Sequence, residues 1–545
     1  MSSRGRPVVS RASLLGLPLE LRQQVYHEYF TVDGGFAYHG DSGKLVQAND
    51  QPIELSLRYA CRAIAYETGQ YPFTLNAITF STLHRQDWGK QAIWADYIMD
   101  HHSYFQDAML FRLKRRITLE MYKDPDPKYS QYIPAIRKKL ARSMASWDRT
   151  RDTTPDDAEE SEDSRAFRTL RELRSQPATS GRWWGSTLIS QSSTDKTIFF
   201  SRVAEYLLRQ LAEKDPREFS QAIGEILPGW TDSHSVSDFF NLTFDPWTIP
   251  SEDEVKVKLE ELQLSSVWES PEYRYQRKTR FSAAAVAIKF LGQISRQQRL
   301  CISDLILNED RNAISSSECH VLGLIPFFRE NPKLEVEHRL NLWRNILPKS
   351  ACLSFMDIAV EDQGGLDLQN WPEIPQSHQT RPDSFAQAVT NIIMHISKAL
   401  TEGLPSRSYS LTIEGDPDLN HSTEFFSTTM KPYIIWLTAN TDCVAQGLLL
   451  QPEHCNYPFD TRSSGKETTI LQSNFTLDQP WNYEKIIEDS EYDIIGKSLK
   501  SLMIRSRFEP DFIDVSTDIL DWMEIKRENY LREEVPKDVE EETAV

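Results

Sequence analysis

The stretch Phe281-Ser282-Ala283-Ala284-Ala285-Val286-Ala287-Ile288-Lys289-Phe290-Leu291-Gly292-Gln293-Ile294, followed by Cys301-Ile302-Ser303-Asp304-Leu305-Ile306-Leu307, sets the fold class. The first part is the most apolar element of the chain. Its first turns carry small residues, so another element can approach closely there. The second part reads as a buried strand. The unit of helix, turn and strand recurs. Leu340 to Ile346 reads as a helix before a strand over Ala351 to Ile358, and Phe385 to Leu400 as a helix before a strand over Ser408 to Ile413. Further strand candidates are Tyr433 to Leu437 and Ile470 to Phe475. Helices alternating with apolar strands predict an α+β or mixed α/β fold with a partly parallel, buried sheet.

Upstream of this unit, Ser251-x-x-Glu254 is a capping-box signal, and helices are expected over 195–213 and from Pro216. An acidic run over 148–164 reads as a disordered segment, with Thr154-Pro155 and Ser161 as its modifiable positions. Arg165, Arg168, Arg171 and Arg174 follow and read as a solvated helix face. Nearer the N-terminus, a helix is expected over about 88–101, and Arg116 to Met121 alternates like a half-buried strand.

The N-terminal stretch Ser13-Leu14-Leu15-Gly16-Leu17-Pro18-Leu19-Glu20-Leu21-Arg22-Gln23-Gln24-Val25-Tyr26 reads as an apolar lead-in and an amphipathic helix. Pro18 suits a first helical turn, and Glu20 complements the positive end of the helix dipole. Leu21, Val25 and Tyr29 form the expected buried stripe, and Leu17 is expected to bury with Leu21 and Val25 against Ile53, Leu57 and Ile64. In a second helix over 52–67, Ile53, Leu57, Ala60, Cys61 and Ile64 share a face, and Glu54 and Arg58 form an i,i+4 pair. Phe36-Ala37-Tyr38-His39 and Lys44-Leu45-Val46, joined by Gly40-Asp41-Ser42-Gly43, read as a hairpin.

These residues resemble an F-box, in the degenerate form found at the N-termini of fungal proteins. Leu17-Pro18, Glu20, Leu21, Val25 and Tyr26 match its opening. Leu57-Arg58-x-x-Cys61-Arg62-x-Ile64 matches its second half, and the hairpin over 31–51 departs from its compact helical middle. The resemblance implies a protein-interaction adaptor that recruits substrate to a cullin-type ubiquitin ligase. Leu14, Leu15, Leu17, Pro18 and Leu19 are then the candidate partner-binding residues. The block from Phe281 to Leu347 also resembles a region of fungal proteins with the same N-terminal module. Asn308-Glu309-Asp310, Glu318-Cys319-His320, Glu330-Asn331-Pro332 and Leu342-Trp343-Arg344-Asn345 carry that likeness, which implies a family and no activity.

Composition bounds the rest. The chain has 545 residues, 39% of them hydrophobic and 26% charged, as expected of a globular protein. Its net charge of −19 argues against nucleic acid and anionic membranes as partners. The six cysteines, Cys61, Cys301, Cys319, Cys352, Cys443 and Cys455, are scattered and form no C-x-x-C pair, which predicts reduced thiols and an intracellular setting, cytoplasm or nucleus. No apolar run of about 18 residues marks a membrane span.

No catalytic, cofactor or metal site is assigned. Gly465-Lys466-Glu467 lacks the phosphate-loop glycine and hydroxyl residue, and no H-E-x-x-H or EF-hand ladder occurs. His101 and His102 are adjacent, so on a helix they diverge by about 100°. Glu318-Cys319-His320, with Glu309, Asp310 and Arg311 upstream, is the one tight cluster of reactive types. It reads as polar residues that cap helices and pair Arg311. The expected organisation is an F-box-like module over 1–84, a helix–strand extension over 85–147, and an acidic linker over 148–180. A mixed α/β domain over 181–525 and a charged tail over 526–545 complete it. The leading function is an interaction adaptor. A scaffold with no ligase role, and an enzyme of unknown class using the 309–320 region, are the alternatives.

Overall fold

The structure, a computed structural model, describes residues 13–122, 133, 136–137, 198–264, 275–315, 317–349, 379–380, 382–430, 470–476, 513–515 and 517–532. The acidic segment, the arginine series after it, the strands expected at 351–358 and 433–437, and Cys352, Cys443 and Cys455 lie outside the described residues.

Mixed α/β is the observed class. A seven-stranded sheet is built from β1 (Phe36–His39), β2 (Lys44–Gln47), β3 (Ile78–Ser81), β4 (Asp304–Glu309), β5 (Glu335–Asn341), β6 (Tyr409–Glu414) and β7 (Leu471–Ser473). Its spatial order is β2-β1-β3-β4-β5-β6-β7. Only the β1–β2 hairpin is antiparallel; every other neighbouring pair is parallel.

This order has a consequence for layering. Each parallel connection moves the chain the same way across the sheet, and parallel crossovers are right-handed. The described helices of these connections therefore lie on one face. Burial agrees: Ile78, Leu305, Val336 and Tyr409 stand in register and are buried, as are Phe80, Leu307, His338 and Leu411. The intervening residues Thr79, Ile306, Glu337 and Ser410 are half-buried. A parallel sheet covered on both faces would read as continuous apolar runs. This one alternates, with a polar second face on which Arg339 pairs Glu337 at 2.8 Å.

The helices that cover the apolar face follow from local sequence. Ser282 caps α6 (Ala283–Gln293), its Oγ accepting from Ala285 N–H. The small residues Ala283, Ala284, Ala285 and Ala287 are all buried, which is the close approach the sequence predicts. The long helix α7 (Pro382–Thr401) buries Phe385, Val389, Ile392 and Ile396 in the same core.

A second core is wholly helical. α2 (Gln86–Leu113) packs with α3 (Ile198–Lys214), α4 (Pro216–Ile226) and α5 (Glu252–Glu261) around Phe105, Leu207, Phe219 and Leu259. Asp215 caps α4, and Ser251 with Glu254 forms the expected capping box on α5.

Several expectations are corrected. The boundary at residue 84 does not divide the fold, because β1, β2 and β3 belong to the same sheet as β4 to β7. The 85–147 extension and the start of the 181–525 region share the helical core of α2 to α5. Residues 335–341 form β5, and 342–346 only one wide helical turn. The period-two alternation of Glu335-Val336-Glu337-His338-Arg339-Leu340 outweighs the helical reading of 340–346. Arg116 to Met121 is no strand: short turns occupy it, and Met121 inserts into the helical core. The 52–67 helix is broken at extended Cys61 into Ser56–Tyr59 and Arg62–Glu67. Glu54 accepts from Tyr29 and from Ser56 N–H in place of pairing Arg58. The start of the expected 526–545 tail is built into the fold: Ile525 just before it is buried, and Tyr530–Arg532 pairs with Tyr275–Arg277.

Candidate functional site

Two regions gather the residues that the sequence singles out. The first is the N-terminal helix α1 (Leu19–Phe30). Its buried face is Tyr26 and Phe30, which pack with Ile64 into a small core against Leu14, Leu57 and Cys61. The residues expected to be buried, Leu17, Leu21 and Val25, point outward, 38%, 45% and 41% exposed. The helix is thus rotated by one residue from the leucine-stripe reading. Two features account for the rotation. Tyr26 and Phe30 offer larger apolar surfaces than Leu21 and Val25, and large aromatics dominate burial energetics. Arg22, on the same side as Tyr26, also finds a partner there: Glu67 accepts from Arg22 Nε at 3.0 Å and Nη2 at 2.7 Å, and from Tyr26 Oη at 2.8 Å. The Arg22 guanidinium, ahead of Tyr26, holds the Glu67 carboxyl below its ordinary range.

The rotation leaves a ridge of aliphatic side chains. Leu15, Leu17, Leu19, Leu21 and Val25 are all exposed, and Pro18 lies among them. Of the candidate partner-binding residues, Leu15, Leu17, Pro18 and Leu19 therefore stand in solvent, and Leu14 is half-buried against the module's core. Leu21 and Val25 are additions that the stripe reading had assigned to the interior. A comparison of volumes, Tyr26 and Phe30 against Leu21 and Val25, is the signal that could have found them.

The second region lies beneath the first turn of α6, running from the carboxyl end of β4 through the middle of β5 to the start of β6. Glu309 ends β4, and its Oε1 accepts from Ala284 N–H at 3.2 Å. Ser282 Oγ lies 2.6 Å from His320 Nδ1, and Glu318 Oε1 lies 3.0 Å from His395 Nδ1 on α7. His338 Nδ1 is 2.8 Å from the Tyr409 hydroxyl, and its Nε2 is 3.8 Å from Glu309 Oε1. Burial, then the charge of Glu309, pushes the Tyr409 hydroxyl well above its ordinary value. Ser282, Glu309, His320 and His338 are all fully buried.

This arrangement joins elements. Each contact links α6, the 317–324 turns, α7 or a strand to another, and a buried carboxylate under a helix N-terminus is held by backbone N–H groups. The three sequence blocks around Ser282, Glu309 and Glu318 do converge, as a packed polar layer. Cys319 is buried in the apolar core beside them. His101 and His102 lie elsewhere, inside the helical core, and burial pushes the His102 imidazole down to about 4. Among the described residues, no group of three or more His, Cys, Asp and Glu side chains is placed to hold a metal ion. Among the same residues, no helix is long and apolar enough to cross a membrane.

No family model, curated protein or solved structure matches the chain.

Proposed function

We propose that the chain is an F-box-like interaction protein that docks a partner on the ridge of Leu15, Leu17, Leu19, Leu21 and Val25. The observation that carries this reading is the exposure of that ridge, 38–46% for each residue, beside a fully buried core of Tyr26 and Phe30. A helix that turns its leucines outward while burying its aromatics has apolar surface to bury against something else. The resemblance of Leu17-Pro18, Glu20 and Leu21 to an F-box makes a ubiquitin-ligase adaptor subunit the leading partner. The sheet and helical core then present a substrate. Protein partners, in the cytoplasm or nucleus, fit a chain of net charge −19 better than nucleic acid does.

A scaffold without a ligase role is the second reading. The position of the β1–β2 hairpin favours it. The hairpin separates the two halves of the F-box-like motif and belongs to the main sheet, so the module is not free-standing. Affinity purification from the native cell separates the readings. Cullin and adaptor subunits in the eluate support the ligase reading, and one stoichiometric partner without them supports the scaffold. Failure of wild-type protein to bind the adaptor at micromolar concentration removes the ligase role.

A further inference from the structure

Adjacent strands deliver two guanidiniums to one edge of the sheet. Arg311 follows β4 and Arg344 follows β5, both at the carboxyl ends. Both reach the same carboxylate: Arg311 Nη2 lies 2.7 Å from Glu528 Oε2, and Arg344 donates to both Glu528 oxygens at 3.3 Å. A third arginine, Arg280, donates from Nη2 to the Glu528 carbonyl at 3.1 Å and from Nη1 to Asn529 Oδ1 at 2.8 Å.

The two forks are held in place by their own neighbours. Asn345 Nδ2 donates to the Arg311 carbonyl at 2.7 Å. Asn341 Oδ1 accepts from Trp343 and Arg344 N–H, which fixes the turn that carries Arg344. Asp310 is the other carboxylate at the edge, 3.5 Å from Arg311 Nη1. Among the described residues, Glu528 and Asp310 are the carboxylates that Arg311 and Arg344 pair with, in a chain of net charge −19.

Rigid arginine forks from two loops suit planar or tetrahedral oxyanions. We propose that Arg311 and Arg344 form a binding site for the carboxylate or phosphate group of a small-molecule ligand, which Glu528 occupies as an internal stand-in. The site meets solvent, with the side chains of Arg311, Arg344 and Glu528 exposed by 23%, 27% and 29%. Glu528 meets Arg311 and Arg344 through its side-chain carboxylate. The Glu528 backbone stays where Arg280 holds it, Lys278 N–H donates to the next carbonyl, that of Asn529, and buried Trp522 and Ile525 anchor the segment.

An internal competitor lowers apparent affinity by the fraction of molecules in which the site is open. The test is made on the full chain, with inorganic phosphate and, separately, acetate titrated by calorimetry at constant ionic strength. Glu528→Gln should bind at least one of the two anions about tenfold more tightly than wild type. Adding Arg311→Met and Arg344→Met should abolish that binding. Phosphate alone binding identifies a phosphate-bearing ligand, and acetate binding a carboxylate. A folded Glu528→Gln protein with wild-type affinity for both anions overturns the proposal, as does binding that survives loss of both arginines. Should Glu528→Gln fail to fold, Glu528→Asp carries the same test, because its shorter side chain keeps the charge but withdraws from Arg311. Unchanged affinity in that variant also overturns the site.

Discussion

Arg22 on α1 and Glu67 at the end of the 62–67 helix face each other through two parallel hydrogen bonds, 45 residues apart in sequence. The Tyr26 hydroxyl adds a third to the same carboxylate. This pairing fixes the rotation of α1, because turning Leu21 and Val25 inward would carry Arg22 away from Glu67. Arg22→Ala and Glu67→Ala should each lower the melting temperature, and the double variant should lower it by less than the two losses added. Strict additivity would remove the coupling from the account.

Tyr26 and Phe30 should carry most of the module's stability. Phe30→Ala is expected to cost about 3–5 kcal/mol, the range for a buried aromatic that leaves a cavity. Leu21→Ala and Val25→Ala should each cost within about 0.5 kcal/mol, since exposed substitutions seldom do more. Urea unfolding of the three variants checks the order, and a Leu21→Ala loss as large as that of Phe30→Ala would contradict the rotation.

Much of this fold was legible in the sequence, and the misses share a cause. Ser251 and Pro216 announce their helices because capping and first-turn chemistry are local. The hairpin at Gly40 to Gly43 is announced for the same reason. By contrast, the choice between Leu21 and Tyr26 as the inward residue depends on Glu67, which is far along the chain. The β5 assignment was missed because Leu340-Asn341-Leu342-Trp343 offers a helical period just where the strand ends. The convergence of Ser282, Glu309 and His320, 38 residues from first to last, depends on how α6 packs over β4 and the 317–324 turns, which no local pattern encodes. Arg344 and Glu528 illustrate the same limit: each reads as an ordinary surface charge, and only the tertiary fold brings them together.

The buried polar layer should behave as structure. Ser282→Ala removes a cap and is expected to cost about 1–2 kcal/mol. Cys319, packed in the core, should resist a thiol probe in the folded protein and react once urea unfolds it. Selective labelling of Cys319 under native conditions would return the 309–320 region to consideration as a reactive site.

His102 gives the fold a pH dependence. Burial, with a smaller contribution from Lys258, pushes its imidazole from 6.5 down to about 4, so the folded state holds it neutral. The unfolded chain binds more protons between these values, so stability from this group is full above about pH 6.5 and is lost as pH falls toward 4. The loss amounts to about 3 kcal/mol at one pKa unit per 1.36 kcal/mol. His102→Phe, beside the Phe239 ring, should flatten the stability profile in that window. A variant with the wild-type slope from pH 6.5 to 4 would assign the dependence to other groups.

The leucine ridge separates folding from binding. Leu15 and Leu19 are 44% and 46% exposed and make no part of the buried core around Tyr26, Phe30 and Ile64. Leu15→Asp with Leu19→Asp should therefore leave the melting temperature within about 2 °C of wild type, as exposed substitutions away from packed features do. If the ridge is the docking surface, the same pair should abolish partner capture, because such interfaces rest on a few apolar anchors and a carboxylate in their place is left buried without a counter-charge. The measurement is quantitative recovery of the partner on immobilised wild-type and variant protein, with melting followed in parallel. Undiminished capture by the folded variant would move the docking site off α1. Loss of folding together with capture would show that these leucines are core residues.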